Sequence, residues 1–159
     1  MITFERTFDY GLLTSLLRDP RIFDFLADDF SPPREAVTAV EHPALLYLLA
    51  RDEGRLLGFF LLEPRSTVLY DVHVAMPLDR RALTAGRALV GTDGWLWANT
   101  PCQRAVGTLP AWNRVAQRFA FRAGMREFGR NPQASQKGRC LHDLVLMGIG
   151  RPGQKELTL

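Results

Sequence analysis

Cysteine is scarce in this chain: Cys102 and Cys140 are the only two among 159 residues. Two thiols without C-x-x-C spacing supply neither a disulfide framework nor a zinc site. Histidine is equally thin, and His42, His73 and His142 stand singly, so no metal centre is expected. No apolar run approaches the ~20 residues of a membrane span. The start of the chain shows no cationic stretch followed by an apolar h-region. These absences point to a reduced, cytoplasmic protein with no membrane partner. Tyrosine stops at Tyr70, and neither internal repeats nor a linker-like stretch interrupts the chain. Lysine is nearly missing, since eighteen of the twenty bases are arginine.

The charge that is present is divided. Residues 1–79 hold thirteen acids and seven bases, a balance of −6, whereas residues 80–159 hold thirteen bases and four acids, a balance of +9. Arginine offers phosphate a planar, bidentate fork. A ligand with clustered phosphates meeting the second half, or a merely solvated basic face, accounts for this. Nucleic acid is disfavoured, because no binding motif or aromatic–glycine RNA signature accompanies the arginines. With 47% hydrophobic residues, a chain of this length forms one domain with a real core.

Periodicity outlines the elements. Ile2–Phe8 alternates as a first strand. Asp9 caps a helix to about Arg18 with a stripe of Leu12, Leu13, Leu16 and Leu17. Arg21–Ala27 gives a second helical piece, and Pro33–Glu41 a third. From Leu45 two strand-like runs flank the hairpin turn Asp52–Glu53–Gly54. Thr67–Met76 follows as a third consecutive antiparallel strand. After Pro77 a helix begins at Arg80 and is predicted to run to about Asn99, with Gly91 and Gly94 marking close packing or a kink ahead of Trp95 and Trp97. Arg104–Leu109, reached by that crossover, is predicted to lie parallel to Thr67–Met76. A helix over Asn113–Ala123 stops at Gly124. Met125–Gly129 and Leu141–Ile149 are the last strands, with Asn131–Arg139 as a mobile polar loop between them. Residues 1–150 thus form one α+β domain around a mixed, mostly antiparallel sheet of about seven strands flanked by helices. Its order is β-α-α-β-β-β-α-β-α-β-β, and residues 151–159 follow as a loose tail.

The stretch from Thr67 to Thr100 organises the rest. A helix start directly after a buried strand presents unpaired N–H groups and the positive end of the macrodipole, a geometry that suits a pyrophosphate. Arg80 and Arg81 could add full charges to it. An ordinary strand–turn–helix unit with solvated arginines explains the same residues.

This order, with proline and an arginine pair before the central helix, resembles the GNAT superfamily of acyl-CoA-dependent N-acetyltransferases. Asn113, Ala116, Phe119, Gly124 and Met125 stand at the spacing of that family's N-x-x-A-x-x-L/F-x-x-x-x-G-F/M helix, and the ending HDLVLMGIGR is similar to its final strand. The second half is particularly similar to small phage-encoded members, which would place the protein in a host cytoplasm. The resemblance implies that the Thr67–Met76 strand parts from the following parallel strand. The pantetheine of acetyl-CoA would then enter along Val74, Ala75 and Met76. It also implies a pyrophosphate cradle of the form Q/R-x-x-G-x-G/A, here Arg80, Arg81, Ala82, Leu83, Thr84 and Ala85, with Asn113 and Ala116 near the cofactor. Two positions depart from the pattern. Leu83 replaces a glycine whose role is close backbone approach to phosphate. Ala120 stands where many relatives place a tyrosine that reprotonates the CoA thiolate.

For the base, Asp71 and His73 lie two apart on one strand and therefore share a face. Histidine's ordinary pKa of about 6.5 suits proton removal from an amine, and Asp71 could orient the ring. A partly buried histidine bonded to backbone fits equally. Glu63 is a weaker candidate. Asp24, Asp28, Asp29 and Glu41 are candidates to line or surround the acceptor's mouth, or acids that only keep the first helices soluble. Two functions remain open: transfer of an acetyl group from acetyl-CoA to a primary amine, small-molecule or protein, by direct attack in a ternary complex; or a GNAT-like fold serving as a non-catalytic binding, phage-assembly or host-interaction module. A homodimer is compatible with either.

Overall fold

The computed structural model describes residues 1–154. Seven strands form one sheet: β1 (Ile2–Arg6), β2 (Leu46–Asp52), β3 (Arg55–Pro64), β4 (Leu69–Ala75), β5 (Arg104–Pro110), β6 (Arg126–Lys137) and β7 (Cys140–Gly150). Their spatial order is β1-β2-β3-β4-β5-β7-β6. Every neighbouring pair is antiparallel except β4 with β5. The helices are α1 (Tyr10–Leu17), α2 (Pro20–Leu26), α3 (Arg80–Val90), α4 (Trp95–Asn99) and α5 (Arg114–Ala123).

Both faces of the sheet are covered, which is why β2 and β3 read as nearly continuous apolar runs. Leu48, Phe60, Leu62, Tyr70 and Met76 point to one face and pack under α3, α4 and α5. Tyr47, Leu49, Phe59 and Ala75, their alternates along the strands, point to the other and meet Leu13 of α1 and Ile22 of α2. Local signals set several boundaries. Asp9 accepts a hydrogen bond from the Leu12 amide and starts α1. Glu53 and Gly54 both take positive φ (51° and 81°), as a two-residue hairpin turn requires. Gly124, at φ 112°, ends α5.

Three expectations are corrected. The third helix, expected over residues 33–41, is a single 3-10 turn at Arg34–Ala36. The residues after it run extended, because the Val37 carbonyl accepts from Arg18 Nε (2.8 Å) and the Ala39 amide donates to Thr14 Oγ1 (3.0 Å). The long helix breaks at Gly91–Gly94 into α3 and α4. A Cβ at Gly91 or Gly94 would stand 2.4 Å from the carbonyl oxygen of Arg87 or Leu89, and Trp97 Nε1 donates to the Gly91 carbonyl across the break (2.9 Å). The polar loop expected at Asn131–Arg139 is mostly strand. β6 continues to Lys137, pairing Ser135 with His142 and Lys137 with Cys140 after a register shift, and the turn is Gly138–Arg139. An edge strand exposed to water carries no alternation of apolar residues, so its pattern is that of a loop.

Of the segment expected as a tail, Arg151 is anchored: its amide donates to the Gln103 carbonyl (2.8 Å) and its guanidinium to the carbonyls of Trp97 and Thr100. Residues 155–159 lie outside the described residues.

The end of β4 is held by Gly58, at φ 147°, where an added Cβ would come within 2.3 Å of the Ala75 carbonyl oxygen. Gly58→Ala should therefore lower the unfolding free energy by at least about 2 kcal/mol in urea titrations, combining strain with backbone displacement. Wild-type stability in that variant would contradict this packing.

Candidate active site

β4 and β5 stay together only briefly. Leu69, Tyr70 and Asp71 pair with Arg104, Ala105 and Val106, and pairing then ceases although β4 runs on to Ala75 and β5 to Pro110. Gly107 lies just past the last pair, and a Cβ there would meet nothing nearer than the Val72 carbonyl at 3.7 Å. The strands part above it. A cavity of about 560 Å³ passes through this opening, from beneath α2 on one face to the space between α3 and α5 on the other. Its far wall includes four small residues, Gly86 of α3 with Ala116, Ala120 and Ala123 of α5, beside Leu89, Val90 and Phe119. Gly86 also lets α5 approach closely, since a Cβ there would lie 2.9 Å from the tip of the Phe119 ring and would push it aside.

His73, Val74, Ala75, Met76, Asn113 and Ala116 all line this cavity. His73 is half-exposed and stands on the α2 face of β4. Register places Leu61 directly across from it on β3, and Glu63 across from Asp71. Among the described residues the carboxylate nearest the imidazole is that of Glu63, with Oε2 3.4 Å from Nε2. Asp71, expected to orient the histidine, is instead bound to Arg65 (Nε to Oδ2, 2.6 Å), whose other arm reaches Glu63 at 3.4 Å. The Asp71 carboxylate, accepting that hydrogen bond, raises the Arg65 pKa above its ordinary value. One donor atom from each of Glu63, Asp71 and His73 lies within 4.8 Å of the others, an arrangement open to a cation. The Arg65 guanidinium already supplies positive charge to both carboxylates.

The start of α3 is less open than the sequence suggests. Asp79 caps it, and its Oδ1 accepts from the amides of Arg81 (2.9 Å) and Ala82 (3.0 Å). The Leu83 amide bonds the Asp79 carbonyl. A carboxylate therefore occupies two of the N–H groups expected to face a phosphate. Asp79 immediately before a helix is an N-cap signature, so this competitor was legible. Arg80 and Arg81 are exposed, and Arg81 Nε stands 3.9 Å from Asp52 Oδ2. Ala82 and Ala85 are buried in the core, Thr84 donates to the Arg80 carbonyl, and Leu83 is half-buried outside the cavity lining.

Asn113 is both cap and clamp. It accepts from the Ala116 amide (3.1 Å) and donates through Nδ2 to the Phe25 carbonyl at the end of α2 (2.9 Å). Ala120 is buried on the cavity wall. Ser135 was missed entirely, because it falls in the stretch read as a loop. It is buried on the lining, and its hydroxyl has no partner among the described residues. Of the four acids expected at the mouth, Asp28 lines the cavity; Asp24 and Glu41 are exposed. Asp29 instead accepts from the amides of Gly138 (2.9 Å) and Arg139 (2.8 Å), fastening the β6–β7 turn to the loop after α2.

These amides, Arg139's first and then Gly138's, hold the Asp29 carboxyl below the ordinary aspartate value of 3.8. A depressed folded-state pKa means the clasp contributes fully above that ordinary value and is lost as pH falls through the lower one. Amide exchange at Gly138 and Arg139 should accelerate over that acidic window, and at neutral pH in Asp29→Ala. Protection unchanged in the variant would refute the clasp.

No family model matches the sequence, and no curated protein does. Solved structures share the fold. An acetyltransferase of the GNAT family from Streptococcus pneumoniae superposes with a TM-score of 0.65 at 16% identity, covering 95% of this chain and 99% of that one. A spermidine N-acetyltransferase chimera from Vibrio cholerae and hSSAT gives 0.71 at 12% identity, covering 94% and 95%. A ribosomal L7/L12 alpha-N-protein acetyltransferase in complex with coenzyme A gives 0.70 at 11% identity, covering 96% of each chain. At these identities the likeness establishes the fold alone, the α+β fold of GNAT acetyltransferases with its seven-stranded mixed sheet.

Proposed function

We propose that this chain is an acyl-CoA-dependent N-acyltransferase that moves an acetyl group from acetyl-CoA to a primary amine, with both substrates bound together. The observation that carries the reading is the parting of β4 from β5 after Asp71, which opens a cavity through the sheet with His73 on its wall. Coenzyme A is bound by one structural counterpart, the ribosomal-protein acetyltransferase. Among the described residues, no helix is long and apolar enough to cross a membrane.

The residues fit such a donor in two respects. The end of β4 and the residue after it, Val74 to Met76, border a channel whose opposite side includes Gly86, Ala116, Ala120 and Ala123 among larger apolar residues, leaving room for a slender pantetheine arm. Beyond it, Arg80 and Arg81 are exposed at the start of α3 to meet the pyrophosphate, Arg81 giving up its 3.9 Å pairing with Asp52 to do so. Ala82, Leu83, Thr84 and Ala85 form the first turns behind them, and Asn113 and Ala116 hold the start of α5 alongside. Asp79 is the misfit, and phosphate would have to displace its carboxylate from the Arg81 and Ala82 amides. When bound, acetyl-CoA supplies an activated acetyl carbonyl and a thiol leaving group.

The remaining work falls to the chain. An amine arrives protonated and must lose a proton before it attacks. His73, half-exposed and beside Glu63, is placed to take that proton directly or through water, with Glu63 steadying the imidazolium formed. Asp71 acts at one remove, holding Arg65 against Glu63. With Ala120 in place of a tyrosine, water in the channel returns the proton to the departing thiol.

A binding or assembly module without catalysis is the second reading, favoured by Asp79, Leu83 and Ala120. Calorimetry with acetyl-CoA separates the two. Arg80→Ala should weaken acetyl-CoA binding about tenfold or more, since charge-assisted contacts to phosphate contribute roughly 1.5–3 kcal/mol each. Asp79→Asn keeps a capping oxygen, removes the competing charge and should tighten binding. Equal affinity in both variants would remove the α3 start from the site. His73→Ala should lose roughly 10²–10⁴-fold in turnover with donor affinity intact. Full activity in His73→Ala would return the residue to a structural role.

A further inference from the structure

We infer that the acceptor is a primary amine carried on a compact, uncharged, apolar body, and that the space beneath α2 is its binding site. The inference rests on the acyltransferase reading for the chemistry, though not for the site. Tyr47, Leu61 and His73 are register partners on three adjacent strands and form a straight row across the α2 face of the sheet. Two strand spacings separate the ends of the row, roughly 10 Å. An amine nitrogen placed at His73 must therefore lay its substituent along Leu61 toward Tyr47 and Phe59. Ile22, Phe25 and Leu26 of α2 roof the same space, and Val40 flanks it. The Tyr47 hydroxyl is already committed to the Val40 carbonyl (2.8 Å), so the ring presents its apolar part.

Charge narrows the class further. Among the described residues that line the cavity, the groups able to carry charge near neutral pH are Asp28 and His73. The carboxylates of Glu63 and Asp71 lie outside the lining and are engaged by Arg65. Asp28 Oδ1 accepts from the Phe30 amide (2.9 Å) and Ser31 Oγ (3.2 Å), leaving its second oxygen to attract one ammonium. A polyamine would carry several charges into a lining whose one carboxylate among the described residues is Asp28, and a phosphorylated or acidic acceptor would meet no arginine or lysine there. Apolar side chains continue outward from the cavity: Phe25 and Val40, both on the lining, are 38% and 62% exposed.

The transfer balances simply. The ammonium gives one proton to water through His73, the nitrogen forms a bond to the acetyl carbon, and the carbon–sulfur bond breaks. The second nitrogen proton compensates the thiolate by way of solvent. The products are the N-acetyl amine, free thiol and one released proton.

The test uses the full chain with 2-phenylethylamine, ethylamine and spermidine. Binding is read by calorimetry without donor, and transfer by thiol release with acetyl-CoA. Burial of a phenyl ring predicts kcat/KM for 2-phenylethylamine at least about tenfold above that for ethylamine, and above that for spermidine. Phe25→Glu should abolish that preference while acetyl-CoA affinity is retained, and Phe25→Ala should reduce it. A preference for spermidine, or one indifferent to both Phe25 variants, would overturn the inference while leaving the acyltransferase reading standing. If acetyl-CoA does not bind, that reading falls and the amine arm still decides. Saturable 2-phenylethylamine binding sensitive to Phe25→Glu upholds the apolar amine site, and no binding rejects it.

Discussion

The separation of two parallel strands is the constraint on which this structure turns. Backbone groups in a sheet seek partners, and leaving a central strand half-paired is costly unless something holds its neighbours in place. Here β5 is fixed along its whole length by β7, from Arg104 opposite Gly150 to Pro110 opposite Leu144, while β4 is fixed by β3 as far as Ala75. Each strand has one secure side. They can diverge after Asp71 and Val106 without unravelling, and Gly107 leaves the opening unobstructed.

Cover over the opening comes from both faces by different means. On one, α3 and α5 meet through Gly86 and Phe119, and the small side chains of α5 leave a channel rather than a packed seam. On the other, the short α2 is tied down at its end. Asn113 holds the Phe25 carbonyl, Lys137 donates to the Ala27 carbonyl (2.6 Å), and Asp29 clasps the β6–β7 turn. One of these ties comes from the start of α5 and two from the terminal hairpin, so three distant parts of the sequence enclose the space beside His73.

The sequence disclosed features that are local and hid those that depend on contact. Asp9, the Glu53–Gly54 turn and Gly124 each satisfy a neighbouring backbone requirement, and their boundaries were legible to within a residue or two. The crossover from β4 to β5, and with it the parallel pair, followed from one helix between two strands. The break at Gly91–Gly94 was harder, because it depends on Trp97 folding back onto the Gly91 carbonyl. β6 was cut short because an edge strand such as Asn131–Lys137 lacks an apolar alternation. At the site, His73 and Asp71 were correctly placed on one face. The identity of the histidine's partner is a matter of register across strands, which sets Glu63 opposite Asp71 and brings Arg65 between them. Ser135 had no signal apart from the strand that contains it.

Asp79 marks the tension in this account, since a carboxylate rests where a donor's phosphates would be received. The most direct measurement is backbone hydrogen exchange with and without acetyl-CoA. If the parted strands are the donor site, exchange should slow at Val72–Ala75, where β4 has no β5 partner, and change at Arg81 and Ala82 as phosphate replaces Asp79. Exchange in those two segments that is indifferent to saturating acetyl-CoA would contradict the central claim.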